Sequence, residues 1–81
     1  MTDNEYWTNL CGPLYRYADY RPGDHITYRD RDTTHTGVIL WCCPPETTVK
    51  GLHLPAYYIV ERDGAGDSWP DTVYQSEVIV N

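Results

Sequence analysis

The run Gly37-Val38-Ile39-Leu40-Trp41-Cys42-Cys43 constrains this chain more than any other stretch. Every residue after the glycine is apolar, and Pro44-Pro45 ends the run. A bilayer span takes roughly 20 such residues, so the run is far too short to cross a membrane. A short apolar segment bounded by turn formers is the pattern of a central strand covered on both faces. Successive side chains on a strand point to opposite sides. Val38, Leu40 and Cys42 therefore form one set, which we assign to the interior. Ile39, Trp41 and Cys43 form the other, which needs a cover from elsewhere in the chain or from a partner.

Such a strand needs neighbours, and the flanking sequence supplies them. Arg21-Pro22-Gly23-Asp24 is a turn leading into His25 to Arg29, where alternation puts Ile26 and Tyr28 on one face. Asp30 to His35 reads as a polar turn into the apolar run. Pro44 to Pro55 holds three prolines and a glycine and is expected to be a twelve-residue loop. Ala56 to Glu61 is the clearest strand, followed by a hairpin loop over Arg62 to Asp67 with glycines at 64 and 66. Trp69 to Tyr74 makes a fourth strand whose proline confines its start to a sheet edge, Gln75-Ser76 a short turn, and Glu77 to Val80 a fifth strand.

Residues 1–21 form an aromatic-rich extension ahead of a domain over 22–81. Asp3 or Asn4 is placed to cap a short helical turn ending at Gly12-Pro13, with Tyr6, Trp7 and Leu10 on one side. These rings either plug the open end of the domain or dock on a second copy or another protein.

At 81 residues the chain is one small domain, and such a domain buries only about 60% of its unfolded surface. It has eight Tyr, three Trp and no Phe, so nearly every ring carries a polar tip and tolerates a half-wet position. The net charge is −6, and residues 44–81 carry six acidic against two basic side chains. A negative field repels phosphate backbones, which disfavours nucleic acid as a partner. Arg16, Arg21, Arg29 and Arg31 are the local exception, although aspartates interleave with them. Three cysteines, two of them adjacent, do not make a secreted disulfide framework. The acidic start Met-Thr-Asp-Asn-Glu lacks the character of a signal sequence. A reduced, cytoplasmic setting is the expectation.

Gly23-Asp24-x-Ile26-x-Tyr28, Thr36-Gly37-Val38-Ile39, Tyr58-Ile59-Val60-Glu61 with its glycine turn, and Val73 through Ser76 to Ile79 together resemble the SH3-like small barrel of Tudor or KOW type. The resemblance covers about residues 22–80 and implies an all-β fold, a five-stranded SH3-like barrel. Ala18-Asp19-Tyr20 is also similar to a tripeptide of signalling SH3 domains, but it lies three residues before Gly23 and leaves no room for the long acidic loop those domains place there. Fold alone does not fix function. Tudor-like relatives surround a methylated cation with aromatic faces, and carried over by position the resemblance points to Tyr28, Trp41, Tyr58 and Asp63. The hairpin loop 62–66 lacks the aromatic that closes such a cage, for which Trp69 is a substitute.

Reactive groups are scattered. Cys42, Cys43, His25, His35 and His53 match no paired ligand spacing for zinc. Asp63, Asp67 and Asp71 lack the spacing and closing glutamate of a calcium loop. No phosphate loop, nucleophile elbow or triad spacing is present. The expectation is a non-enzymatic protein-interaction module or small assembly subunit with no cofactor and no metal. It would bind a protein, a peptide or a second copy of itself through Trp41, Tyr57, Trp69 and Tyr74 and the loops 30–35 and 44–55. Two alternatives stand beside it: a nucleic-acid-binding barrel using arginines that include Arg29 and Arg31, and an acidic mimic of nucleic acid.

Overall fold

The computed structural model describes residues 3–66 and 69–79; Asp67 and Val80, which the sequence places in a hairpin loop and a last strand, lie outside them. The chain starts with helix α1 (Asp3–Cys11) and continues through β1 (His25–Asp30), β2 (Thr33–Cys43), β3 (Glu46–Thr47), β4 (His53–Leu54), β5 (Tyr57–Arg62) and β6 (Asp71–Tyr74). A 3-10 turn at Gln75–Glu77 leads into β7 (Val78–Ile79). Five strands form one curled antiparallel sheet in the order β6-β5-β2-β1-β7, so the chain meanders and its last strand returns to pair with the first. The architecture is a mostly-β, small-barrel-like sheet with one short helix.

The helix ends where the sequence says it should. Gly12 takes a left-handed φ of 98° and its N–H bonds the Thr8 carbonyl at 2.9 Å, the usual way a glycine stops a helix. Its buried face differs from the expected Tyr6, Trp7 and Leu10. Trp7 and Cys11, one turn apart, pack on the sheet together with Leu14, while Tyr6 and Leu10 are exposed.

Two loops are more ordered than their composition suggests. Thr33, Thr34 and His35 belong to β2, because β-branched threonines extend the ladder. The β1–β2 turn shrinks to Arg31-Asp32, with Arg31 itself in the left-handed region at φ 57°. The proline-rich stretch after β2 carries a small ladder of its own, with Glu46 opposite Leu54 and Thr47 opposite His53.

The main departure from expectation lies inside β2. Ile39 pairs with Val60 and Trp41 with Ile59, so Leu40 is an extra residue, a β-bulge. The bulge inverts the alternation. Ile39 lies inside with Ile26, Tyr28, Tyr58, Val60 and Val73, and so does Cys42 on the far side of the bulge. Trp41 and Cys43 face the other way and form a second cluster with Ile59, covered by Trp7, Cys11 and Leu14. The assignment of Val38, Leu40 and Cys42 to one interior face is therefore corrected for its first two members, which are half-buried. The bulge sits where another segment intrudes: Ile39 donates its N–H to Asp24 O at 2.9 Å and accepts from Gly23 N at 2.7 Å.

Gly37 is required by close approach. A Cβ there would lie 2.5 Å from Glu61 O and 2.7 Å from Val60 Cγ1. Among the described residues every buried side-chain nitrogen and oxygen has a hydrogen-bond partner, as expected of a well-formed interior. No described helix is long and apolar enough to cross a membrane.

Candidate functional site

Three stretches far apart in sequence meet at a cleft of about 210 Å³, lined by Tyr15, Tyr17, Ala18, Asp19, Ala56, Tyr57, Tyr58 and Gln75. Segment 15–19 is irregular, but its start is fixed. Tyr15 donates its N–H to the Cys42 carbonyl at 2.9 Å, and Leu14, Tyr15, Ala18 and Tyr20 pack on the main core. The turn that follows sends Tyr17 outward, where it is 85% exposed, with its ring edge-on to Tyr15 at 5.7 Å between centroids.

The opposite wall is β5. Tyr57 is half-buried and its ring meets Tyr74 of β6 at 6.1 Å, the two residues being cross-strand partners. Tyr58 points the other way into the core, edge-on to Tyr20 at 6.0 Å, with its hydroxyl donating to Gln75 Oε1. The 3-10 turn that carries Gln75 is held by Glu77, whose carboxylate accepts the Tyr74 N–H at 2.8 Å.

Burial sets the electrostatics of this wall. Desolvation raises the Tyr57 phenol, and the neighbouring Cys43 adds to the rise. Desolvation also raises Tyr58, against hydrogen bonds from the Tyr20 and Asp19 backbone that pull it down. Both phenols are therefore neutral donors at ordinary pH. Asp19 forms no ion pair with any described residue and is exposed at the cleft rim. Aromatic faces beside an uncompensated carboxylate suit a cationic or amine-bearing side chain.

Of the residues singled out in the sequence for binding, Tyr57 lines the cleft, and Tyr74 braces its ring from the neighbouring strand. Trp41 does not join them: it is 5% exposed, beneath the α1 end, with its indole N–H donating to Gly12 O at 3.0 Å. Trp69 is 78% exposed but stands past the opposite end of the β5–β6 ladder, by a hollow of about 230 Å³ lined by Arg62, Asp63, Gly64, Ala65 and Asp71. Arg29 and Arg31 flank a third hollow with Ser76, Glu77, Val78 and Ile79. Arg21 is spent on backbone, donating to Ala18 O at 2.6 Å.

The cage suggested by resemblance does not assemble from its four residues. Tyr28 is buried and bonded to Asp71, Trp41 and Tyr58 are buried in different clusters, and Asp63 accepts from Thr36 at 2.7 Å and pairs with His25 at 2.6 Å. Those bonds hold the Asp63 carboxyl below its usual range, Thr36 contributing most. His53 bonds Thr47, and among the described residues no group of three histidine, cysteine or acidic side chains could hold a metal ion.

Sequence reading missed Tyr15, Tyr17, Asp19 and Gln75. The usable signal was Tyr15-x-Tyr17, two rings at strand spacing beside an acid, in a segment without sustained periodicity. Compared with family models, with curated proteins and with solved structures, the chain matches none.

Proposed function

We propose that this chain is a non-enzymatic protein-interaction module on an SH3-like barrel, gripping an extended partner segment in the tyrosine cleft. The barrel type is supported by the meander order β6-β5-β2-β1-β7 and by the 3-10 turn just before the strand that returns to β1. The observation that carries the binding reading is the cleft itself, where Tyr15, Tyr17 and Tyr57 present rings and Asp19 a free carboxylate to one hollow. Tyrosines anchor interfaces well, because a large rigid ring brings area at small entropy cost. The net charge of −6 favours a segment bearing lysine or arginine.

A second reading, binding of nucleic acid, draws on Arg29 and Arg31. Both are exposed beside one hollow, and neither is ion-paired with another described residue.

Panning the folded chain against displayed random peptides tests the first reading. Wild type should enrich sequences with lysine or arginine. Tyr17→Ala and Asp19→Asn should each weaken a selected peptide by about tenfold, with melting unchanged. Full affinity in both variants removes the cleft from the proposal. Failure to enrich any peptide, with steeply salt-dependent binding of DNA or RNA lost in Arg29→Ala, replaces it with the second reading.

A further inference from the structure

We infer that Cys11 and Cys43 form an oxidisable dithiol site, closed into an intramolecular disulfide by a small-molecule disulfide of the glutathione class. The inference does not rest on the proposed binding function. It begins with how firmly residues 11–15 are laid along residues 41–44. The Trp41 indole donates to Gly12 O at 3.0 Å, and Tyr15 N–H donates to Cys42 O at 2.9 Å. Gly12 sits so close to Pro44 that a Cβ on it would be 3.3 Å from the proline Cγ. Within that frame Cys11 packs against the cluster of Trp41, Cys43 and Ile59.

The third cysteine is excluded by the strand. Cys42 points to the opposite face of β2, into the other core cluster, and its Sγ–H donates to Tyr20 O at 3.3 Å. Neighbouring residues of a strand cannot bring their sulfurs together without breaking the ladder. Cys11 and Cys43 are thus the pair that the fold gathers into one cluster.

Accessibility sets the order of events. Cys43 is fully buried, and burial together with the neighbouring Cys11 pushes its thiol up to about 12, so it is not the first to react. Cys11 is only half-buried. The Cys11 thiolate attacks one sulfur of oxidised glutathione, forming a mixed disulfide and expelling one glutathione thiolate. Cys43 then gives up its proton to solvent and attacks the Cys11 sulfur, expelling the second glutathione thiolate. Two protein thiols and one glutathione disulfide become one protein disulfide and two glutathione thiols, so atoms and electrons balance. The second step is the slow one, because Cys43 is rarely a thiolate.

The bond would tie the end of α1 to β2. It would also reach the wall of the tyrosine cleft, since Tyr57 packs against the same cluster.

The test is incubation of the reduced chain with oxidised glutathione, acid quench, alkylation and peptide mapping. Expected are a transient glutathione adduct on Cys11, then a Cys11–Cys43 cross-link with loss of two hydrogens, Cys42 still alkylatable, and an upward shift of the melting midpoint. Cys11→Ser should abolish the cross-link, and Cys42→Ala should keep it. Cys43→Ala should stop at the Cys11 adduct; if that variant does not fold, Cys11→Ser decides alone. A stable Cys11 adduct in wild type, a linkage through Cys42, or no reaction in the folded chain would overturn the inference.

Discussion

The Tyr28 hydroxyl donates a 2.6 Å hydrogen bond to Asp71 Oδ2, joining β1 to β6 although β2 and β5 lie between them in the sheet. Neighbouring strands are about 4.8 Å apart, so a flat sheet would hold β1 and β6 roughly 14 Å from each other. The bond exists because the sheet curls over its own core. Arg62 of the adjacent strand β5 holds the same carboxylate in place, with Nε 2.9 Å from Asp71 Oδ2 and Nη2 3.1 Å from Oδ1.

Removing the hydroxyl therefore loosens the curl without making a large void. Tyr28→Phe should lower stability by about 1.5–3 kcal/mol, the range for a hydrogen bond to a charged group, read from the urea midpoint. Arg62→Ala should have a cost that shrinks in the Tyr28→Phe background, because both act on one carboxylate.

Acid should expose the same network. Burial alone would raise the Asp71 carboxyl, but Tyr28 and Arg62 outweigh it and hold the group below its ordinary value. A carboxylate depressed in the folded state adds stability above its unfolded pKa of about 3.9, which is lost as pH falls through the folded value. Stability measured from pH 7 downward should drop in that window, and Asp71→Asn should flatten the drop.

At the alkaline end the direction reverses. Burial, aided by Asp71, pushes the Tyr28 phenol up to about 12, while unfolded tyrosine ionises near about 10. A phenol raised on folding contributes stability that is intact below the unfolded value and is lost as pH climbs through the folded one. Spectrophotometric titration should show Tyr28, Tyr57 and Tyr58 ionising together with unfolding, and a flatter alkaline loss in Tyr28→Phe.

The two tryptophans Trp41 and Trp69 should separate cleanly. Trp41→Ala empties a buried site and should cost about 3–5 kcal/mol, enough to unfold a marginal domain of this size. Trp69→Ala touches an exposed ring and should stay within about 0.5 kcal/mol. Equal losses in chemical denaturation would contradict the burial of Trp41 beneath α1.

Gly37→Ala should destabilise by about 1–3 kcal/mol, since its methyl meets backbone oxygen and a core valine with no room to retreat. The check is the denaturation midpoint.

Strands with an unbroken period were legible in the sequence. His25 to Arg29 and Ala56 to Glu61 lie within β1 and around β5, and Gly12 ends the helix, because in each the local chemistry and the tertiary environment ask for the same thing. The bulge was not legible. Leu40 is one apolar residue among six, and only the intrusion of Gly23 and Asp24 at Ile39 decides which of them is left unpaired. The cleft was half legible for the same reason. Tyr57 belongs to a strand, whereas Tyr15 to Asp19 take their shape from a backbone bond to Cys42 that no local pattern encodes.

The spare residue at Leu40 makes β2 a party wall. Upstream its odd-numbered positions furnish one room, and downstream the odd-numbered positions furnish the room next door. Drawing that leucine into the ladder as a paired residue would exchange the tenants, turning an indole toward a lumen sized for a thiol and leaving the helix resting on the wrong sulfur. The unpaired position, more than the identity of any side chain, is what keeps the two compartments distinct.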